Sequence, residues 1–328
     1  MTPSHAPTTA FAGLDVGKAF CQLAILLPEG TTVQRPIPTT PDGFAQMVEL
    51  CQKHQVALVV MECTSRLEIS PAVELWHAGI PVSIISPRQS HAFAKALGRA
   101  AKTDRLDADL LARFAQWIRP NPTEKLSEYH LELREWATRR RQLMGMLIQE
   151  KNRLAQARAQ SLQDNIQRHL RLLTQQLDAV DQQIHDHLQR DPQLHAAVAR
   201  LESVPGISRI AATQLIVALP ELGTLTRRTV ASPAGLTPMA HDSGTLAGPR
   251  TIRGGRANAR TALFMPALCA TRFHPVIKAM YTRLRAAGKR PIVALVACMR
   301  KLLIILNSML KQHKTWDQFI LKNTSQSA

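Results

Sequence analysis

Four carboxylates stand where they could act together: Asp15 in "GLDVGK", Glu62 in "VVMECTS", and Asp104 and Asp107 in "KTDRLDADLLARFA". Asp104 and Asp107 are three residues apart, so on a helix they share a face, about 60° apart around the axis. Asp109 points elsewhere and is left as a surface or capping residue. Carboxylates gathered at one point repel one another unless cations neutralise them, and a hard, all-oxygen donor set suits Mg2+. Two such ions about 3.5–4 Å apart activate an attacking oxygen and stabilise a leaving oxygen in an in-line phosphoryl transfer. Each residue also has a plainer role open to it. Asp15 could be a turn residue, Glu62 an ion-pair partner of Arg66, and Asp104 and Asp107 charges that complement a helix start capped by Thr103.

The elements around these residues decide whether they can meet. "FAGLDV" (Phe11 to Val16), "FCQLAILL" (Phe20 to Leu27) and "TTVQRPI" (Thr31 to Ile37) read as three strands in a meander, with turns at Gly17 and at Pro28-Glu29-Gly30. "TPDGFAQMVELCQKH" reads as a helix with Thr40 as N-cap. "VALVVMEC" (Val56 to Cys63) and "PVSIIS" (Pro81 to Ser86) read as buried strands by their β-branched content, with helical patterns between and after them. Three strands, a helix, a strand, a helix, a strand and then helices is the order of an α/β ribonuclease H-like domain. In that architecture the first strand, the end of the fourth strand and a later helix converge at one sheet edge.

The chain of 328 residues carries a formal net charge of +17. From Thr224 to Lys301 there are fourteen Lys or Arg and one acid, Asp242, so this stretch supplies +13 of that charge. Such a surface repels itself unless phosphates neutralise it, which points to a polyanionic partner. Aromatics make up 4% of residues, which favours gripping backbone phosphates over stacking on bases. The five cysteines show no C-x-x-C spacing, so neither a disulfide framework nor a zinc site is indicated and a reducing cytoplasm is expected. The longest apolar run, Pro291 to Met299, falls short of the roughly 18 residues of a membrane span, and the N-terminus does not read as a signal peptide.

These patterns divide the chain into an N-terminal α/β domain (1–123), a helical or coiled-coil segment (124–200) and a mainly α C-terminal domain (201–328). The middle segment has apolar residues at three and four spacing, from Leu143 and Leu147 to Leu173 and Leu177. "SVPGISRIAATQLIVAL" resembles a helix-hairpin-helix element, whose turn amides hold phosphate without reading sequence. A Pro- and Gly-rich loop region follows (Ser232 to Gly255), and then three helices.

Taken in order, "GLDVGK", "VVMECTS", "SPRQSHAFAKALGRAAKTDRLDADLLARFA", "VPGIS", "GLTPMAHDSG" and "RTIRGGRANARTALFMPA" resemble the blocks of the Piv-like DEDD transposases, the insertion sequence one-ten family. The resemblance runs from about Phe11 to Lys311. It implies a RuvC-like catalytic domain whose DEDD residues are Asp15, Glu62, Asp104 and Asp107 binding Mg2+, and a transposase domain whose catalytic serine is Ser243. It also implies a DNA recombinase acting on donor and target DNA, an element-encoded non-coding guide RNA, and a homo-oligomer, dimer or tetramer, in which the serine domain of one subunit meets the DEDD domain of another.

A serine nucleophile makes chemical sense in such an enzyme, because a covalent serine ester conserves the phosphodiester bond energy that water would discard. An ordinary turn serine remains the plainer role for Ser243. His241 beside it suggests a hydrolase triad, but no G-x-S-x-G elbow surrounds it. Lys102, Arg105, Arg250, Arg253, Arg256 and Arg260 are the candidate nucleic-acid contacts, with Arg253 or Arg256 placed to hold the phosphate beside the serine. Three other readings stay open: a structure-selective endonuclease that uses water, a non-catalytic nucleic-acid scaffold, and an actin-like ATPase. The last needs a second glycine-rich phosphate loop, and Gly254-Gly255 in a basic stretch is a poor match.

Overall fold

The computed structural model describes residues 9–64, 66–98, 104–239, 242–243, 246–247 and 250–325, and for 104–106, 242–243, 246–247 and 321–325 the backbone alone. Lys102, Thr103, His241 and Gly244 lie outside these residues. The chain forms two compact units, Met1–Lys125 and Leu126–Ala328.

The first unit is built on a mixed five-stranded sheet. Its strands are β1 (Ala10–Val16), β2 (Phe20–Leu26), β3 (Thr32–Pro38), β4 (Val56–Glu62) and β5 (Val82–Ile85), in the order β3-β2-β1-β4-β5. The meander β1-β2-β3 is antiparallel, whereas β4 and β5 run parallel to β1. Parallel neighbours need crossovers, and these are α1 (Pro41–Lys53) and α2 (Ile69–His77). Local chemistry sets the crossover starts. Thr40 Oγ1 accepts from Gly43 N at 3.2 Å, and Pro41 fills the first helical turn, where no amide partner is needed. After β5 come α3 (Pro87–Ala96), opened by a capping box between Ser86 and Gln89, and α4 (Asp104–Ile118). A mixed sheet in this order, flanked by helices, is compatible with a ribonuclease H-like domain.

One glycine fixes how α4 lies on the sheet. A Cβ on Gly13, in the middle of β1, would collide with the Ala108 carbonyl and the Ala112 amide of α4. Helix and strand backbones therefore touch there, and only glycine permits it.

The second unit is mostly helical. α5 (Glu128–Gln156) and α6 (Gln160–Arg190) form an antiparallel pair, in which Arg140 grips Asp181 through two bonds of 2.6 and 3.1 Å. Leu143, Leu147, Ile166 and Leu173 are buried in the pair, as their spacing suggests. Leu143, Leu173 and Leu188 share one core with residues from the rest of the unit. Those helices are α7 (Pro192–Glu202), α8 (Arg209–Ala218), α9 (Ala257–Phe273), α10 (Pro275–Ala286), α11 (Pro291–Lys311) and α12 (Trp316–Ser325). The Pro-Gly turn joins α7 to α8, with Gly206 at φ +92 packed on Cys269 of α9, and Ser208 caps α8. α11 is long and apolar enough to cross a bilayer by length and composition, more so than the short apolar run in the sequence suggested. Leu302, Leu303, Leu306 and Met309 bury one of its faces in the core.

The stretch expected to be a loop region, Ser232 to Gly255, instead contains paired backbone. β6 (Pro238–Met239) pairs with β9 (Thr251–Ile252), and between them β7 (Asp242–Ser243) pairs with β8 (Leu246–Ala247). Two-residue ladders are too short to show a strand period in sequence.

Candidate functional site

The β1–β4 register brings two of the carboxylates side by side. Gly13 pairs with Val60 and Leu14 with Met61, so one step further Asp15 stands beside Glu62, the last residue of β4. Adjacent strands are about 5 Å apart, and registered partners point to the same face.

That face is the one α4 covers. Phe11, Gly13 and Asp15 alternate onto it. Phe11 shares a cluster with Leu111, Phe114 and Ala115, and its ring lies 5.5 Å from the Arg119 guanidinium. Gly13 backs onto Ala108 and Ala112. Two residues up the strand thus correspond to one turn back along the helix, and α4 runs antiparallel to β1. The next step up, Asp15, faces the turn of α4 that begins at Asp104 and holds Asp107. Asp15 and Asp107 are half-buried, and Asp104 opens the helix with its side chain outside the described residues. Among the described residues, no three metal-ligating side chains converge as a ready cluster. Arg105 lies in the first turn of α4.

Glu62 has a partner that the sequence did not reveal. Ser90, on α3 and 2% exposed, places its hydroxyl 2.5 Å from Glu62 Oε1 and 2.9 Å from the Pro87 carbonyl. The carboxylate thus has one oxygen held from within the protein. A second missed residue, the acid Glu68, is 1% exposed and shapes the loop after β4: its Oε2 accepts from Thr64 N (3.2 Å) and Thr64 Oγ1 (3.0 Å). Neither residue stands out by spacing: Ser90 meets Glu62 only because α3 returns to the end of β4, and Glu68 folds back on Thr64 within the loop itself.

Asp109 corrects the sequence reading. It is 8% exposed rather than on the surface, and it joins Arg113 Nε (2.9 Å) and Thr32 Oγ1 of β3 (3.3 Å). Its charge ties α4 to the edge of the sheet, on a different side of the helix from Asp104 and Asp107.

In the second unit, Ser243 pairs with Leu246 at the end of a hairpin whose stem is Met239 with Thr251 and Pro238 with Ile252. Glycines anchor the stem. Gly235 (φ +64) meets the backbone of Gly254 and Gly255 so closely that a Cβ on it would strike the Gly254 carbonyl. Arg260 Nη1 clamps the same place, donating to Ala234 O (3.1 Å) and Gly254 O (2.5 Å). Arg256 Nη1 reaches Glu221 Oε1 at 2.5 Å and Ala218 O at 3.3 Å. Arg256 and Arg260 therefore both have guanidinium bonds to their own chain; Arg250, which is also engaged within the fold, and Arg253 are exposed on the stem. This gives "GLTP" and "RGGRANAR" a shared physical role: they lock the base of the serine hairpin onto the start of α9.

Residues 12–161 match a family model of DEDD transposases of the IS110 type, described as Transposase, and residues 198–282 match one described as Transposase IS116/IS110/IS902 family. The chain is 30% identical over 318 residues to the Pilin gene-inverting proteins of Moraxella bovis and Moraxella lacunata, covering 94% of this chain and 98% of each relative. It is also 34% identical over 113 residues to the Insertion element IS110 uncharacterized 43.6 kDa protein of Streptomyces coelicolor, which covers 34% of this chain and 28% of that one. The protein is thus of the transposase and DNA-recombinase class. Within it, the chain belongs to the IS110 family, whose role is the rearrangement of DNA.

Proposed function

We propose that the chain cuts and rejoins DNA strands through a serine ester, using Ser243 as nucleophile and Asp15, Glu62, Asp104 and Asp107 as the ligands of Mg2+ in a ribonuclease H-like, RuvC-like domain. The observation that carries this reading is the double register at one sheet edge: β1 against β4 puts Asp15 beside Glu62, and β1 against α4 turns both toward the start of that helix. The donor set fits the ion, since it is all carboxylate oxygen and Glu62 is already oriented by Ser90. When bound, the cation neutralises charge on the phosphate under transfer.

The protein's own groups perform the exchange. Ser243 Oγ attacks the scissile phosphorus and its proton leaves to a basic oxygen nearby. The Oγ–P bond forms as the bond to the departing deoxyribose oxygen breaks, and that oxygen takes up a proton. Rejoining is the reverse with a different strand: an incoming hydroxyl attacks phosphorus and Ser243 regains its proton. Arg250 and Arg253 hold the phosphate as the charge on its oxygens shifts. Lys102 and Arg105, on either side of Asp104 in the sequence, meet the flanking backbone.

DNA inversion, the activity in the Moraxella relatives' name, is one outcome of such an exchange. Two further elements belong to the proposal: an element-encoded guide RNA that selects donor and target DNA, and an oligomer in which the serine of one subunit works with the carboxylates of another. The helical stretch 124–200 then serves as the spacer between the two chemistries. The test is strand exchange on DNA carrying the element's ends, with its flanking RNA, comparing wild type with Asp15→Asn and Ser243→Ala. Loss of exchange in both supports the reading. Cleavage that survives Ser243→Ala with water-derived ends would make the protein an endonuclease instead.

A further inference from the structure

The second unit has a groove of about 810 Å³ between α11 and the stem of the serine hairpin. Its composition is unusual for a surface. Ile292, Val293, Val296 and Ile304 of α11 form an aliphatic floor, with Met280 of α10 and Leu236 beside them. Ile292 and Val293 are each 50% exposed. A helix as apolar as α11 is normally buried all round, yet its first turn leaves Ile292 and Val293 open while most of its later turns enter the core. Around this floor stand Arg227, Arg228, Arg250, Arg300 and Lys301, and no acid is among the described lining residues. Pro238, Thr251 and Ile252 of the hairpin stem make one wall.

The occupant must therefore offer negative charge and apolar surface together. Arg227, Arg228, Arg300 and Lys301, with no acid among the described lining residues, call for a polyanion. A duplex presents phosphates but keeps its base faces stacked inside. An unpaired strand presents both, its phosphates to the rim and its base faces to the floor. The volume lies in the range of about 300–1,000 Å³ that takes small organic ligands, which suits one or two nucleotides. The lining has no aromatic ring, so the bases lie against aliphatic side chains rather than stack.

We propose that this groove seats unpaired nucleotides of a single strand and leads that strand toward the hairpin that carries Ser243. The proposal rests on the recombinase reading for its purpose but not for its test, because binding needs no catalysis. Anisotropy titrations of the full chain with a labelled oligo-dT and with a duplex of equal length, at several salt concentrations, measure it. The exposed floor pair is changed in Ile292→Ser/Val293→Ser and the rim in Arg300→Ala/Lys301→Ala. The floor variant is expected to bind the single strand about tenfold more weakly, a loss of about 1.4 kcal/mol, with duplex affinity unchanged. The rim variant is expected to flatten the salt dependence for the strand by about 1.4 in log–log slope, the share of two phosphate contacts. Unchanged strand affinity in the floor variant, or an equal loss for duplex and strand, overturns the proposal, also if the groove then takes an acidic helical peptide. Strand exchange abolished by Ser243→Ala with groove binding intact separates the two claims, as does groove binding in a chain that shows no exchange.

Discussion

Ser90 Oγ lies 2.5 Å from Glu62 Oε1, joining the fourth residue of α3 to the last residue of β4 across twenty-eight positions of sequence. The hydroxyl is buried and the carboxylate ends a strand, so the bond holds one Glu62 oxygen in place. Partners that orient a ligating carboxylate typically carry about 10- to 100-fold in metal affinity or activity. Ser90→Ala is therefore expected to raise the half-saturating Mg2+ concentration about tenfold, both in strand cleavage and in direct ion titration by calorimetry, while the melting temperature changes little. An unchanged Mg2+ dependence in both assays would remove Ser90 from the site.

Gly13 tests the placement of α4. In Gly13→Ala the new methyl group meets the Ala108 carbonyl and the Ala112 amide, and neither backbone can give way as a side chain could. The helix has to lift, at about 1–3 kcal/mol. Chemical denaturation should show that loss, and ion binding should weaken with it because Asp104 and Asp107 move with the helix. Full stability and full ion binding together would mean that α4 does not lie on Gly13.

Gly235 is the corresponding test for the serine hairpin. Its φ of +64 and its contact with Gly254 leave no room for a Cβ. Gly235→Ala should reduce DNA rejoining at least tenfold while the N-terminal unit keeps its Mg2+ affinity. Loss of both activities at once would point to general unfolding rather than a displaced hairpin.

Acid should destabilise the helical unit through His130. Burial, aided by Arg134 and opposed by Asp191, pushes this histidine down to about 4. The unfolded chain takes up a proton near the ordinary value of about 6.5, which the folded chain refuses until about pH 4. The stabilisation is thus whole above about pH 6.5 and is lost as pH falls through that window, by roughly 3 kcal/mol at its end. Burial also lowers His274 in the same unit, so the measurement is a comparison. The loss in stability between pH 7 and pH 5 should be roughly 2 kcal/mol smaller in His130→Leu than in wild type. Equal losses would contradict the assignment.

The legible parts of the structure are those written locally. Strands β4 and β5 announce themselves by β-branched runs, α1 by Thr40 and Pro41, and the α5–α6 pair by leucine spacing. A mixed sheet followed by a mostly helical remainder follows from those signals. The parts not legible depend on contacts between distant segments. Ser90 finds Glu62 only because α3 returns over the end of β4, and Asp109 is buried only because β3 supplies Thr32. The serine hairpin hides in a glycine- and proline-rich stretch because its ladders are two residues long. Its glycines, which look like loop punctuation, are the places where backbones touch.

The central claim is a covalent serine ester on DNA. Reacting the protein with labelled donor DNA under Mg2+, denaturing it, and mapping any DNA-bound peptide by mass spectrometry tests this most directly. The account predicts an adduct on Ser243 that disappears in Ser243→Ala and in Asp15→Asn. Recombinant DNA formed by the Ser243→Ala protein, or an adduct mapped to another residue, would contradict it.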